Sequence, residues 1–218
     1  MSKHDRRPFR APTLVNRAVS RPGEGTLIDI VLDHFVATDG TQVANIGLNL
    51  GAAQVPDRKY VADACALTSA RGTVKLMFGQ ERVDGKGWRS LVLVQMTTES
   101  VSRFLGALLQ AGGPLTVPNP LAAKYGVETL TQDVIEPEGQ AIALGANLAI
   151  VGISDNEACV DFYQASPFSL GAAMQSKKLA LDPVVRIDLR SSLFLAMVEG
   201  LRSLGIQPQE LKVRGDSP

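Results

Sequence analysis

The sequence contains no long apolar run. Its longest apolar stretches, Leu91–Val94 and Leu193–Val198, are far shorter than the roughly 20 residues that a membrane-spanning helix needs. The basic residues near the N-terminus are not followed by an apolar segment, so the hydrophobic centre of a secretory signal is missing. We therefore expect a cytoplasmic protein that does not associate with a membrane.

Side chains that usually carry catalysis are scarce. The chain has two histidines, His4 and His34, and two cysteines, Cys65 and Cys159. Metal sites and activated nucleophiles need several such groups close together, and the sequence has no HExxH, GxxxxGK[ST], GxGxxG or GxSxG motif. The cysteines are too far apart for a CxxC site, and we interpret both as reduced, half-buried strand residues. The sequence thus predicts a protein that is not an enzyme, with no catalytic residue, cofactor or metal site.

Charge is balanced overall but unevenly distributed. The 22 basic and 22 acidic residues give a formal net charge of zero, which disfavours a surface that is basic throughout. Before Pro22, however, basic residues oppose only Asp5, and prolines discourage regular structure there. The basic residues are Lys3, Arg6, Arg7, Arg10, Arg17 and Arg21. Residues 1–26 are therefore predicted to be a basic arm, which is either a solvated tail or a segment that orders on a partner subunit or on nucleic acid.

Two segments of the chain share one pattern. Leu91–Gly112 and Val184–Gly205 align without a gap, and each begins as a strand with alternate apolar residues and continues as a helix with one apolar stripe. The matched strand residues are Val92, Val94 and Met96 with Val185, Ile187 and Leu189. The matched helix residues are Val101, Phe104, Leu105 and Leu108 with Phe194, Met197, Val198 and Leu201. This coincidence predicts an internal duplication.

The ends of both helices have recognisable signals. Thr97 or Thr98 is expected to cap the first helix, and Ser191 or Ser192 the second, because a hydroxyl accepts hydrogen bonds from the free N–H groups of the first turn. Gly112 and Gly205 are expected to end the helices, since glycine adopts the left-handed conformation that often follows a helix.

The match extends backwards more weakly. Thr73–Phe78 aligns with Cys159–Gln164, and the hairpin-length links before them predict strands at Val61–Thr68 and Leu148–Ser154. Further back, Asp39-Gly40 and Glu138-Gly139 separate two pairs of strand-like runs. These runs are Leu27–Val36 with Gln42–Leu50, and Val127–Ile135 with Gln140–Leu144.

These patterns predict an α+β fold of two tandem repeats. Each repeat is an antiparallel sheet of about four strands followed by one amphipathic helix, and the repeats form a pseudo-dimer that covers their open faces and edges. The predicted division of the chain is a basic arm at 1–26, a first repeat at 27–114, a second repeat at 115–205 and a C-terminal tail at 206–218. The Pro-rich segment Gly113–Pro120 connects the repeats.

Part of the first repeat resembles a known family. The motifs are Tyr60 at the head of a strand, Phe78-Gly79-Gln80 at the end of another, and Met96-Thr97-Thr98-Glu99 at the start of a helix. With these motifs, Tyr60–Leu109 resembles a family of short prokaryotic, strand-rich domains of unknown function that end in a closing helix. The second repeat departs from it by having Phe162-Tyr163-Gln164. The resemblance implies a fold and no reaction.

Two segments at matching places in the repeats carry candidate partner-binding residues. In Gln80–Arg89, the only tryptophan, Trp88, lies between Lys86 and Arg89 in a Gly-rich turn, where an aromatic ring can anchor a partner or fold back on the sheet edge. The second segment, Ala165–Pro183, is longer by seven residues in this alignment and reads either as a contact surface or as a mobile insertion. Its candidates are Leu170, Met174, Lys177 and Lys178.

Three function classes remain open from the sequence. A duplicated fold without an active site favours an assembly or adaptor subunit, acting as a homo-oligomer or in a hetero-complex with other proteins. The alternative is a protein like an export chaperone, which presents apolar grooves to unfolded clients. The third class is a nucleic-acid-binding component that uses the basic arm, which the neutral total charge opposes.

Overall fold

The computed structural model describes residues 26–36, 42–48, 53–85, 87–110, 127–130, 142–154 and 156–209, and every structural statement refers to these residues. The fold is α+β, with strands in two mainly antiparallel sheets. In chain order, the elements are β1 (Thr26–Val36), β2 (Gln42–Leu48), β3 (Lys59–Ala62), β4 (Ala64–Ala70), β5 (Thr73–Glu81), β6 (Trp88–Thr97), α1 (Thr98–Gln110), β7 (Val127–Leu130), β8 (Ile142–Gly145), β9 (Leu148–Ile153), β10 (Glu157–Gln164), α2 (Pro167–Ser176), β11 (Lys178–Arg190) and α3 (Ser191–Ser203).

The strands divide into two sheets. Sheet I has the order β7-β4-β5-β6-β8, and sheet II has the order β2-β1-β11-β10-β9. The long strand β11 has two neighbours on one side, because β1 pairs with Lys178–Leu181 and β3 pairs with Arg186–Leu189. None of the helices in the described part of the chain is long and apolar enough to cross a membrane.

One hydrophobic core joins the two sheets. Helix α1 packs against β5 and β6 of sheet I and β9 of sheet II, whereas α3 packs against β4 and β7 of sheet I and β10 and β11 of sheet II. The predicted apolar strand faces and helix stripes are confirmed. The matched strand and helix side chains of the two aligned segments are all buried in this core, except that Leu108 is partly buried. Because each helix contacts both sheets, the main burial of apolar surface depends on both halves of the chain.

The expected all-antiparallel pairing is wrong in three places. Strand β3 pairs in parallel with β11, β4 with β7, and β6 with β8. The run Val61–Thr68, predicted as one strand, is broken at Asp63, where the chain passes from sheet II to sheet I. The Asp63 carboxylate accepts a hydrogen bond from the Glu81 N–H at 2.5 Å, which fixes the chain at this crossing.

The two short strands β3 and β8 are exchanged between the sheets. Strand β3 leads into β4 of sheet I but lies in sheet II, and β8 leads into β9 of sheet II but lies in sheet I. The sheets therefore do not follow the predicted boundary at residues 114 and 115. The connector at Gly113–Pro120 lies outside the described residues.

The pairing registers correct the backward alignment by two positions. Val74 pairs with Met96 and Ala158 with Leu189, and Met96 and Leu189 are matched in the gapless alignment. Relative to these two strands, Val74 holds the register position of Ala158 rather than that of Val160. A two-residue shift keeps the same side chains on the same sheet face, so alternation alone did not exclude the wrong alignment.

The predictions for the helix ends are partly confirmed. The Thr97 hydroxyl accepts a hydrogen bond from the Ser100 N–H at 3.1 Å, as expected for a cap. The second cap is wrong, because Arg190 occupies the cap position without a side-chain hydrogen bond and Ser191 Oγ instead donates to the Ser154 carbonyl at 2.8 Å. Gly205 follows α3 with a φ of 79°, whereas Gly112 lies outside the described residues.

The outer segments also differ from expectation. The β1–β2 pairing around Asp39-Gly40 is confirmed, but β7 and β8 do not pair with each other, although Glu138-Gly139 lies between them in sequence. The predicted tail at 206–218 begins as a packed segment, since Ile206 is buried and Ser102 Oγ on α1 donates to the Gln207 carbonyl at 2.6 Å.

Candidate functional site

Helix α2 lies in the second candidate partner-binding segment, Ala165–Pro183. Ser166 caps it by accepting a hydrogen bond from the Ser169 N–H at 3.0 Å, and Pro167 stands at the first helical position, where its missing N–H costs nothing. The helix ends at Lys177, which adopts the left-handed conformation and donates its N–H to the Ala173 carbonyl at 3.0 Å. The segment that reads as a contact surface or a mobile insertion thus contains a helix with hydrogen bonds at both ends.

Side-chain hydrogen bonds attach α2 to sheet II. Ser169 Oγ accepts from the Ala180 N–H at 2.9 Å and donates to the Ala180 carbonyl at 3.0 Å. This part of β11 pairs with β1 on one side but lies ahead of the β10 pairing on the other, so the hydroxyl satisfies backbone groups on the side away from β1. Ala173 is buried in a second apolar cluster with Tyr163, Leu179 and Leu181.

Helix α2 leaves two large apolar side chains in solvent, one on each side of the face that Ser169 and Ala173 turn to sheet II. Phe168 is 89% exposed and Leu170 is 43% exposed. Lys177 and Lys178 follow at the C-terminal end of the helix and are exposed. Of the four predicted residues of this segment, Leu170 lies on α2, Lys177 directly follows the helix and Lys178 begins β11, while the side chain of Met174 lies outside the described part.

The first predicted segment forms the β5–β6 hairpin. Trp88 pairs with Glu81, and its ring packs directly over Gly79, where a Cβ would lie 2.2 Å from the ring. Arg89 donates to Gln80 Oε1 at 3.2 Å. The ring is half-buried, in agreement with the alternative that it folds back on the sheet, and Lys86 lies outside the described residues.

The hairpin tip is polar apart from one side chain. Arg82 forms a bidentate ion pair with Asp84, with nitrogen–oxygen distances of 3.1 and 2.9 Å. Val83 between them is fully exposed. This loop is held by its own hydrogen bonds, including Arg82 N–H to the Gly87 carbonyl at 2.9 Å.

A cleft of about 620 Å³, lined by both charged and apolar residues, lies against β3, β10 and β11 of sheet II. Beside it, Arg186 donates from Nε and Nη2 to the two carboxylate oxygens of Asp161, both at 2.6 Å. The side chains are 16% and 9% exposed, so this ion pair is largely removed from water. At the corresponding register position of sheet I, Met77 pairs with Leu93.

Among the described residues that line the cleft, the one thiol is not activated. Burial raises the pKa of the Cys159 thiol, so the reactive thiolate is disfavoured at neutral pH. Burial also raises the pKa of Asp188. Among the described side chains, no three of His, Cys, Asp and Glu are placed to hold a metal ion. Both cysteines are free, with Cys65 buried inside β4 rather than half-buried.

The predicted contact residues that the structure describes thus fall in two places, α2 with the start of β11 in sheet II, and the β5–β6 hairpin of sheet I. The arm residues Arg6, Arg7 and Arg10 lie outside the described residues. Sequence reasoning missed Phe168, although Ser166-Pro167 was a readable helix start. It also missed the Asp161–Arg186 pair, whose members are separated along the chain and share no local motif.

No protein-family model, curated protein or solved structure matches this chain. The resemblance of Tyr60–Leu109 to a family of prokaryotic domains stays a prediction.

Proposed function

We propose that this protein is a non-enzymatic assembly or adaptor subunit that binds a partner protein through α2. The 89% exposure of Phe168, on a helix whose backbone is held at both ends, carries this proposal. Burying a phenylalanine side chain contributes about 1.5–3 kcal/mol, so an ordered helix that leaves the ring in water has apolar surface available for a contact.

The chemistry around α2 defines the partner. Phe168 fits an apolar pocket, and the exposed cations Lys177 and Lys178 favour acidic groups at its rim. Aromatic anchors surrounded by polar residues are common at the centre of protein interfaces. The partner is therefore a folded protein with an apolar pocket bordered by carboxylates.

The body of the subunit, in this proposal, is a pseudo-dimer of two copies of one unit. Several details at corresponding positions support this arrangement. Both sheets have a register irregularity directly after the matched phenylalanines, Phe78 and Phe162. Asp63 and Asn147 hold matched positions, and so do Glu81 and Ala165. The Asp63 side chain accepts a hydrogen bond from the Glu81 N–H, and the Asn147 side chain accepts one from the Ala165 N–H. The exchange of β3 and β8 is reciprocal.

Helix α2 is then an addition to one copy. The chain takes 18 positions from Leu76 to its partner Val94, but 27 positions from Val160 to its partner Ile187. The second copy is thus nine residues longer between these strands, rather than the seven predicted from sequence, and α2 lies in this addition. An element present in only one copy gives the two halves of the subunit different surfaces.

Photo-crosslinking tests the proposal. A benzophenone amino acid at Phe168 should capture one stoichiometric partner in cells that naturally express the protein, and the same group at Val83, which is exposed on the other half, should not. The double substitution Phe168→Asp and Leu170→Asp should abolish a complex that Val83→Asp leaves intact. Promiscuous capture of unfolded chains would instead favour the chaperone alternative, and salt-sensitive binding of nucleic acid would favour the third class.

A further inference from the structure

The outer edges of β4 and β9 occupy corresponding places but have different neighbours. In sheet I, the outer edge of β4 is covered by β7, with Cys65–Thr68 paired in parallel to Val127–Leu130. In sheet II, β9 occupies the place that β4 occupies in sheet I, since β9 pairs with β10 and β4 pairs with the corresponding strand β5. Within the described part of the chain, no strand pairs with the outer edge of β9.

Among the described residues, backbone groups on the outer edge of β9 have no strand partner. The Ser154 N–H donates to the Glu157 carbonyl at 2.7 Å across the β9–β10 hairpin. In an antiparallel pair, the N–H and C=O groups of alternate residues point toward the partner strand and away from it. Since those of Ser154 point toward β10, the N–H and C=O groups of Ala149, Val151 and Ile153 point away from β10. The strand contains no charge and no proline, the features that usually protect an edge.

The other end of sheet II offers a second edge. Strand β2 is the outermost strand there, and four antiparallel pairings separate it from β9. An even number of reversals means that β2 and β9 run in the same direction. A head-to-tail arrangement of two copies would therefore bring β2 beside β9 in parallel, which is the relation that β7 has to β4.

The internal correspondence also fixes a register. Tyr60 of β3 pairs with Ile187, and Leu144 of β8 pairs with Val94. Because Ile187 and Val94 are matched in the gapless alignment, Tyr60 and Leu144 correspond, and they are 84 positions apart. The same shift relates Val127–Leu130 of β7 to Val43–Ile46 of β2, and Cys65–Thr68 of β4 to Ala149–Gly152 of β9. The strand that corresponds to β7 is thus β2.

We infer that β2 of one copy pairs in parallel with β9 of a second copy, with Val43 opposite Ala149 and Ile46 opposite Gly152, so that copies assemble head to tail. This inference deepens the proposed function and rests on it, because it names the self-contact of the assembly subunit. A heterologous contact of this kind closes into a ring or continues as a filament. The proposed self-contact uses the edges of β2 and β9, and it does not use Phe168 or Leu170 of α2.

Cysteine cross-linking between copies tests the pairing. The background carries Cys159→Ala, and Cys65 is fully buried. One preparation carries Asn45→Cys and the other Val151→Cys, which the proposed register places opposite each other, about 5 Å apart across neighbouring strands. Mixing the two should give a covalent dimer with a short bis-maleimide, whereas neither preparation alone should. Leu48→Cys mixed with Val151→Cys is the register control, since three residues along a strand add about 10 Å.

Each other outcome overturns the inference. Self-cross-linking of Val151→Cys alone would indicate a two-fold β9–β9 contact, and the absence of a mixed product would show that these edges do not meet. Light scattering should give a wild-type mass above the 23.2 kDa of one chain. Val151→Pro, which removes an outward N–H, should lower that mass while circular dichroism shows a folded protein. The Phe168→Asp and Leu170→Asp variant should still form the mixed product, so failure of the partner contact is distinguished from failure of the self-contact.

Discussion

The rings of Phe78 and Phe162 meet in the core with their centroids 6.1 Å apart and their planes inclined at 55°. Phe78 lies on β5 of sheet I opposite Val92, and Phe162 lies on β10 of sheet II opposite Val185. Two residues at corresponding register positions therefore touch each other where the two sheets come together.

This contact predicts strong and coupled effects on stability. Phe78→Ala and Phe162→Ala should each lower the free energy of unfolding by about 3–5 kcal/mol, because both side chains are almost fully buried. A double-mutant cycle in urea should give a coupling of about 0.5–1.5 kcal/mol for the tilted ring pair. Phe168→Ala is the control, since that ring is exposed and its removal should change stability by less than about 0.5 kcal/mol. Independent effects of the two buried phenylalanines would contradict the contact.

The buried ion pair predicts that its two members are replaceable only together. Asp161→Met alone should cost about 3–5 kcal/mol, because it leaves the Arg186 guanidinium buried without its partner. Adding Arg186→Leu creates the apolar pair that Met77 and Leu93 form in sheet I, and should restore stability to the wild-type value or above. Chemical denaturation of the two single variants and the double variant measures this. A double variant as unstable as the singles would show that the site requires charge.

Stability should fall in alkaline solution. Burial raises the pKa of Cys65 from 9.0, that of Cys159 from 9.0 and that of Tyr163 from 10.0, so all three groups keep their protons longer in the folded state. Their contribution is complete below pH 9, and it decreases as the unfolded chain loses these protons first at higher pH.

The pH effect is measured as the free energy of unfolding in urea between pH 7 and pH 10.5, with a reductant present. Each group adds a slope of at most about 1.4 kcal/mol per pH unit. Cys65→Ala should lower stability at every pH but flatten the decline that begins near pH 9. A decline that is equally steep in this variant would assign the effect to other groups.

A close backbone contact makes one glycine sensitive. A Cβ on Gly106 of α1 would lie 2.1 Å from the carbonyl oxygen of Gln209, so Gly106→Ala must displace the segment that follows α3. We expect a loss of about 1–3 kcal/mol, although alanine normally stabilises a helix.

Gly171 of α2 provides the matched control for that substitution. A Cβ at Gly171 meets nothing within 4 Å, and Gly171→Ala should stabilise the protein by up to about 1 kcal/mol. Thermal unfolding of both variants compares the two positions. Equal stabilisation by both substitutions would show that residues 207–209 do not pack on α1 in solution.

The sequence was sufficient for features that are set locally. The apolar stripes of α1 and α3 and the alternating faces of β6 and β11 follow from the periods of helix and strand. The Thr97 cap and the Gly205 stop have equally local causes. The stripes and the alternating faces are repeated in two matched segments, and for that reason they were readable without the structure.

Only the tertiary structure decided how the strands are paired. The break at Asp63, the exchange of β3 and β8 and the parallel position of β7 depend on backbone hydrogen bonds between residues far apart in sequence, and such pairings have no turn signal. The period of two leaves a strand's face unchanged when its alignment shifts by two residues, so Val74 was matched to Val160 instead of Ala158. Likewise, Asp161 and Arg186 face each other only because β10 and β11 pair in one register, a choice that the packing of the whole core makes.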